Sequence, residues 1–316
     1  MEVLNFELIR IAIALLGTAA AAYQDYKTSF IDEKIIYLMI AAGVFLNLVH
    51  FAFTGEILIV YALIVSIAIL LFGYLFYKRG QLGMGDVLLF VGIQQLLPLT
   101  PSSFHFLNPV FFAFPDLSAM QEMGWIVVGY VKVVESGLLL ITIILLSSFI
   151  ATIGSSAQYA IALFSSKKPL RPNKVYLIAS ILLLAFGSYF LFLLFGISLL
   201  TLLYFLLFLS SGFFLTFREQ ILDEIVVMRL PISRIDDEDI LAIERMPSEI
   251  VAKYKLEKVL TQSQIKKLKE IQKNEGMKLF PVNKILPRFG PYILIALVLT
   301  LLLGNVVDMI LMLSAN

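Results

Sequence analysis

Two aspartates are the chain's candidates for chemistry. Asp25 closes the first apolar segment, and Asp86 opens the fourth at the end of the run Gly83-Met84-Gly85-Asp86. A carboxylate at a hydrocarbon boundary is costly, so an ionisable residue there marks a functional site by default. Two carboxylates held on one side by a two-helix hairpin can share a proton and activate a water, which is aspartic peptidase chemistry. The glycines ahead of Asp86 permit backbone conformations closed to other residues and let a second chain approach closely. A peptidase that cuts an extended peptide needs that approach beside its acid. Taken alone, Gly83-Met84-Gly85-Asp86 also fits an ordinary turn with a flanking acid. Likewise Tyr23-Gln24-Asp25-Tyr26-Lys27 fits an interfacial anchor of aromatic and charged residues, and Asp32 and Glu33 are rival carboxylates nearby. The combination separates the readings: an acid ending the first span, two spans, then Gly-x-Gly-Asp opening the fourth.

The elements that must position these acids are membrane helices. The 316 residues are 60% apolar and 15% charged, with a mean hydropathy of +0.93. One soluble core could not hide that much apolar surface, so lipid must be the solvent for much of the chain. There is no cysteine, which removes disulfides, cysteine zinc sites and thiol nucleophiles together. The two histidines, His50 and His105, cannot furnish a histidine-rich metal cage. No metal and no cofactor is expected. The net charge of +1 gives no reason to expect nucleic acid as a partner.

A span needs roughly 20 apolar residues, and about eight segments approach that length: 4–24, 34–53, 56–77, 86–99, 125–163, 175–194, 197–216 and 289–311. The first lacks a basic flank and is expected to be a retained helix. The fourth is short, ending at Pro98, and the fifth is overlong, its first turns carrying Lys132 and Glu135. The break between the sixth and seventh rests on Gly196. With the N-terminus outside, the inside loops hold 22 of the 24 lysines and arginines, leaving only Arg10 and Lys132 elsewhere. Asp25 and Asp86 then share the cytoplasmic face, while both histidines fall at the opposite face, about 30 Å away. That separation excludes a Ser-His-Asp arrangement that uses either aspartate.

The expected fold is therefore all-α: a polytopic membrane helix bundle with a small cytoplasmic helical insertion before the last span. Residues 1–216 form the expected embedded core, 217–288 the insertion and 289–316 the final helix. The insertion carries 14 basic and 12 acidic residues, including Asp236-Asp237-Glu238-Asp239. From Ser248 onward its apolar residues recur at helical spacing, predicting two short amphipathic helices with a turn near Thr261.

With both acid motifs in place, the chain resembles the type IV prepilin peptidases, GxGD membrane aspartyl proteases that include the archaeal preflagellin peptidases. In that family the first acid lies in Asp-x-Arg/Lys followed by an aliphatic residue and a turn. It is matched here by Asp25-Tyr26-Lys27 and the stretch through Ile31 and Asp32. The second acid closes Gly-x-Gly-Asp, matched by Gly83, Gly85 and Asp86. Pro287-Arg288-Phe289-Gly290-Pro291-Tyr292, opening the last span, resembles the family's Pro-Phe-Gly-Pro segment. The charged 217–288 stretch is similar to an extension found in some archaeal members. Two positions depart: Leu88 stands where bacterial members often have lysine, and Asp32 where a proline is usual. Presenilin-like and signal peptide peptidases share Gly-x-Gly-Asp, but their first acid follows tyrosine and a Pro-Ala-Leu comes later. Here Gln24 precedes the acid and no Pro-Ala-Leu occurs.

The resemblance implies a multi-pass enzyme of the cell membrane. It would remove the short basic leader from single-span prepilin-like or archaellin precursors at the cytoplasmic face, without the methyltransferase activity of bacterial members. Asp25 and Asp86 would be catalytic, and Gly83 and Gly85 would admit the substrate backbone. Lys27, Asp32 and Glu33 are candidate contacts for the leader. A transporter using Lys132, Glu135 and Asp308 is the rival from another class, though no inverted repeat or matched pair of broken spans accompanies them. A non-catalytic scaffold, with 217–288 binding a partner, is a third reading.

Overall fold

In an apolar solvent every backbone N–H and C=O needs a partner within the protein, which is why the long aliphatic runs become helices. The computed structural model describes residues 2–99, 125–166, 168–196, 199–237, 239–283 and 288–304. The helices are α1 (Glu2–Thr28), α2 (Glu33–Thr54), α3 (Leu58–Lys78), α4 (Met84–Leu96), α5 (Trp125–Ser165), α6 (Lys174–Phe195), α7 (Leu199–Ile221), α8 (Ser248–Tyr254), α9 (Gln262–Glu275) and α10 (Gly290–Leu303). Among the described residues, six helices are long and apolar enough to cross a membrane, and α4 and α10 are shorter apolar helices. Large apolar side chains face outward along them, among them Phe53, Leu38 and Phe186. The membrane part of the protein is a polytopic bundle of α-helices.

Helix ends fall where the sequence supplies a stop. Asp32 caps α2, its carboxylate accepting from the Lys34 amide at 3.0 Å. Gly55 ends α2 in the left-handed conformation (φ 75°), which glycine adopts without a side-chain clash. Gly196 (φ 62°) separates α6 from α7, so the break expected there is present. The last helix is described as far as Leu303, and the 305–311 portion of the expected eighth span lies outside the described residues. So do His105, Asp308 and the side chains of Lys132 and Glu135.

The chain divides into two compact units. In the first (1–77, 81–148 and 288–316), α1 packs against α2, α4 and α10, and α2 packs most extensively against α4. Gly43 makes the α2–α4 approach possible: a Cβ there would lie 2.6 Å from the Gln95 backbone carbon. One turn on, Asn47 reaches α4. With 13 residues α4 is only about 20 Å long, short of a roughly 30 Å hydrocarbon layer. Its last carbonyls therefore need donors from neighbouring helices. Asn47 Nδ2 donates to the Gln95 carbonyl (3.0 Å), and Arg10 Nη1 donates both to the Leu96 carbonyl (3.2 Å) and to Asn47 Oδ1 (2.7 Å). Gln95 Nε2 continues to Ser66 Oγ on α3 (2.9 Å), and Gln94 Nε2 to Ser136 Oγ on α5 (2.7 Å). Arg10 and Asn47 are buried, so a cation sits at the negative end of α4, away from water.

The second unit (78–80 and 149–287) holds the α6–α7 hairpin and the charged insertion. Ser180 Oγ donates to the Gly212 carbonyl across the hairpin (3.3 Å), and Ser156 Oγ donates to the Ser210 carbonyl (3.1 Å). The two expected amphipathic helices are α8 and α9, with Thr261 capping α9. They are accompanied by an antiparallel sheet in the order β1-β3-β2, formed by Val227–Leu230, Phe280–Asn283 and Ile240–Leu241. The register pairs Leu230 with Phe280 and Leu241 with Val282. The insertion is thus mixed rather than purely helical. Its core comprises Leu230, Leu241, Leu260, Leu268, Ile271, Phe280 and Val282. Arg245 pairs with Glu219 (2.6 Å) and Asp223 (3.0 Å), which keeps its guanidinium above its usual pKa.

Asn47→Leu leaves the Arg10 guanidinium and the Gln95 carbonyl short of partners, at an expected cost of roughly 2 kcal/mol or more. Adding Arg10→Met removes the buried charge as well and should recover part of that loss. Thermal unfolding of the purified protein in detergent measures both.

Candidate active site

Asp25 occupies the last turn of α1 and is buried, whereas Asp86 lies in the first turn of α4 and is half-buried. The packing of α1 on α4 brings the two carboxylates within electrostatic reach of each other. Gly83 is the N-cap of α4, and its amide donates to the Asp86 carboxylate, satisfying a donor that the helix cannot. Gly83 has an ordinary extended backbone (φ −72°, ψ 146°), so room rather than backbone freedom explains it. A Cβ at Gly83 would stand 3.0 Å from Asp86 Oδ2. At Gly85 the nearest atom would be Ile31 Cβ at 3.4 Å, an ordinary contact.

Asp25 is held from a distant part of the chain. The backbone amide of Gly290, at the start of α10, donates to Asp25 Oδ2 at 2.8 Å. A Cβ at Gly290 would lie 3.1 Å from both Asp25 Cβ and Oδ2, and 3.2 Å from Ala22 Cα. Arg288 donates from Nε to Ser29 Oγ (3.2 Å) and from Nη1 to the Tyr26 carbonyl, with its guanidinium 5.3 Å from the Tyr26 ring centroid. A cation thereby caps the carbonyl end of α1. Ser29, at φ 57°, takes the left-handed conformation at that end, its amide donating to the Asp25 carbonyl (2.8 Å).

The other candidates lie around the α1–α2 turn. Lys27 is exposed, with its ammonium 4.7 Å from the Tyr23 ring centroid. Asp32 caps α2, and its own amide donates to Gln24 Oε1 (2.9 Å). Glu33 is exposed and accepts from the Tyr37 hydroxyl (2.9 Å). Asp25, Asp86, Gly83 and Gly85 thus come together, while Lys27, Asp32 and Glu33 have local partners on the adjoining turn. Sequence reasoning noticed Pro287–Tyr292 as a motif but gave no role to Arg288 or Gly290. It likewise gave no role to Arg10, Asn47 and Gln95, whose signal was polarity inside apolar spans. Among the described residues no group of three or more histidines, cysteines and acids converges as a metal cage.

Asp25 and Asp86 thus stand at the ends of two packed helices in an apolar bundle, the pair that the sequence singled out. Residues 12–156, which carry both, match the family model described as the type IV leader peptidase family. Over that region, which is less than half of the chain, the sequence is similar to the type IV leader peptidase family. It is also similar to Prepilin peptidase EppA of Methanothermobacter thermautotrophicus, at 32% identity over 114 residues. That alignment covers 35% of this chain and 30% of the relative. No solved structure matches the chain.

Proposed function

We propose that the protein is a membrane aspartic endopeptidase that removes the short basic leader from single-span prepilin-like or archaellin precursors. The observation carrying this reading is the meeting of Asp25 and Asp86 from two packed helices, each carboxylate accepting a backbone amide. The basic residues of the inside loops support cleavage at the cytoplasmic face. Lys27, Asp32 and Glu33, on the turn beside Asp25, are proposed to meet the leader.

Two adjoining carboxylates hold one proton between them. The ionised carboxylate takes a proton from a bound water, whose oxygen attacks the scissile carbonyl carbon. The protonated carboxylate hydrogen-bonds the carbonyl oxygen as negative charge develops there. The tetrahedral intermediate then collapses: the C–N bond breaks, and a proton passes from the acid pair to the departing amine. Both products leave with the pair again holding one proton. The half-buried side of Asp86 supports water entry, and the room kept by Gly83 and Gly85 supports an extended substrate backbone beside it.

Asp25→Asn and Asp86→Asn should each abolish leader removal from a precursor in membranes while leaving insertion unchanged. Normal processing by either variant sinks the assignment. Asp32→Asn keeps a good helix cap and should retain kcat while raising KM for a basic leader; a loss of kcat as complete as that of Asp25→Asn would mean Asp32 is the first acid. Among the glycines, Gly83→Ala crowds the Asp86 carboxylate and should slow cleavage by roughly tenfold or more. Gly85→Ala makes only ordinary contacts and should cost much less, as comparative rates on one precursor would show.

A further inference from the structure

The tripeptide Arg288-Phe289-Gly290 touches both acid-bearing helices. Gly290 donates its amide to Asp25, and Arg288 grips the end of α1 through Tyr26 and Ser29. Phe289, between them, turns the other way: its ring meets Phe90 edge-on, with centroids 6.4 Å apart and planes at 70°. Phe90 lies on α4, one turn beyond Asp86, and is buried. Three consecutive residues therefore connect Asp25, the end of its helix, and the first turns of the helix that carries Asp86.

We propose that Arg288-Phe289-Gly290 is a positioning clasp that sets the spacing and orientation of the acid pair. The inference rests on the reading of Asp25 and Asp86 as the catalytic acids. Each contact is of a kind that fixes geometry. The amide fixes which Asp25 oxygen faces α10, and the short Gly290 approach leaves no space for that carboxylate to shift toward α10. The forked guanidinium fixes the last turn of α1 through two acceptors. The ring pair fixes α4 against the same segment, by a contact that depends on the edge-to-face arrangement as well as on volume. None of the three residues supplies a group that exchanges protons with substrate; they act through the aspartates.

The absence of cysteine lets a disulfide report the spacing directly. Ile31→Cys with Gly85→Cys places two sulfurs on Cβ positions 3.4 Å apart, spanning the turn after α1 and the first turn of α4. On that background, Phe289→Ala and Arg288→Gln should slow disulfide formation several-fold, and Phe289→Tyr should restore it. In the cysteine-free protein the same variants should lower kcat roughly 10- to 100-fold with KM little changed. They should also move the pH–rate profile, which belongs to the coupled pair. The probe is a synthetic precursor with a lysine-rich leader joined to one apolar helix. Gly290→Ala, which keeps the amide but crowds Asp25, should fall between wild type and Gly290→Pro, which removes the donor. Should Phe289→Ala not fold, Phe289→Leu keeps most of the volume while deleting the ring edge, and is judged by the same readings. Wild-type cross-linking together with a wild-type pH profile in the Arg288 and Phe289 variants overturns the clasp, while the aspartate variants stay inactive. Full cleavage by Asp25→Asn instead sinks the catalytic assignment, and the clasp's role in cleavage falls with it.

Discussion

Three helix ends meet at this site, and each carries backbone groups that the helix itself cannot satisfy. α1 ends there with free carbonyls, whereas α4 and α10 begin there with free amides. In a membrane such groups must find partners in the protein, and the charged residues are distributed accordingly. Arg288 faces the carbonyl end of α1, Asp86 lies over the amides of α4, and Asp25 reaches across to the amide end of α10. The acid pair is thus part of how the bundle closes its own helix ends. The same requirement acts at the other end of α4, where Arg10 and Asn47 complete a helix that stops too early to cross.

That arrangement explains which parts of the site were legible in the sequence. Asp25 and Asp86 stood out because each is a charge at the edge of an apolar run, a local signal. Apolar length and Gly196 placed the helices because helix formation in lipid depends on local composition. The role of Gly290 was hidden because its partner is 265 residues away, a separation that no local pattern encodes. Arg10, Asn47 and Gln95 were visible as polar residues within spans, but not as one network, since they lie on three helices. Of the two reasons the sequence offered for Gly83, backbone freedom does not apply, since its backbone is ordinary, while close approach agrees with the small space beside Asp86.

The insertion shows a different limit. Its helices carry charges at helical spacing and were readable, but the sheet was not. The strands hold four, two and four residues, and the central one contains Pro281, which has no amide to offer a ladder. Pro281 is tolerated because its carbonyl still accepts from the Ala242 amide and because Phe280 and Val282 on either side are fully buried. Burial in a small core outweighs one missing donor. Within that unit, the Arg245 pairs with Glu219 and Asp223 tie the sheet region to the end of α7 and the turn that follows it.

The bond between Gly290 and Asp25 also has a consequence for biogenesis. A ribosome threads Asp25 into the bilayer long before it reaches codon 290, and until then that carboxylate has no α10 amide to accept. Translation that stops prematurely, even after most spans have been made, leaves the first acid without this tether. The acid pair's surroundings are therefore complete only once the start of α10 has been made and has docked.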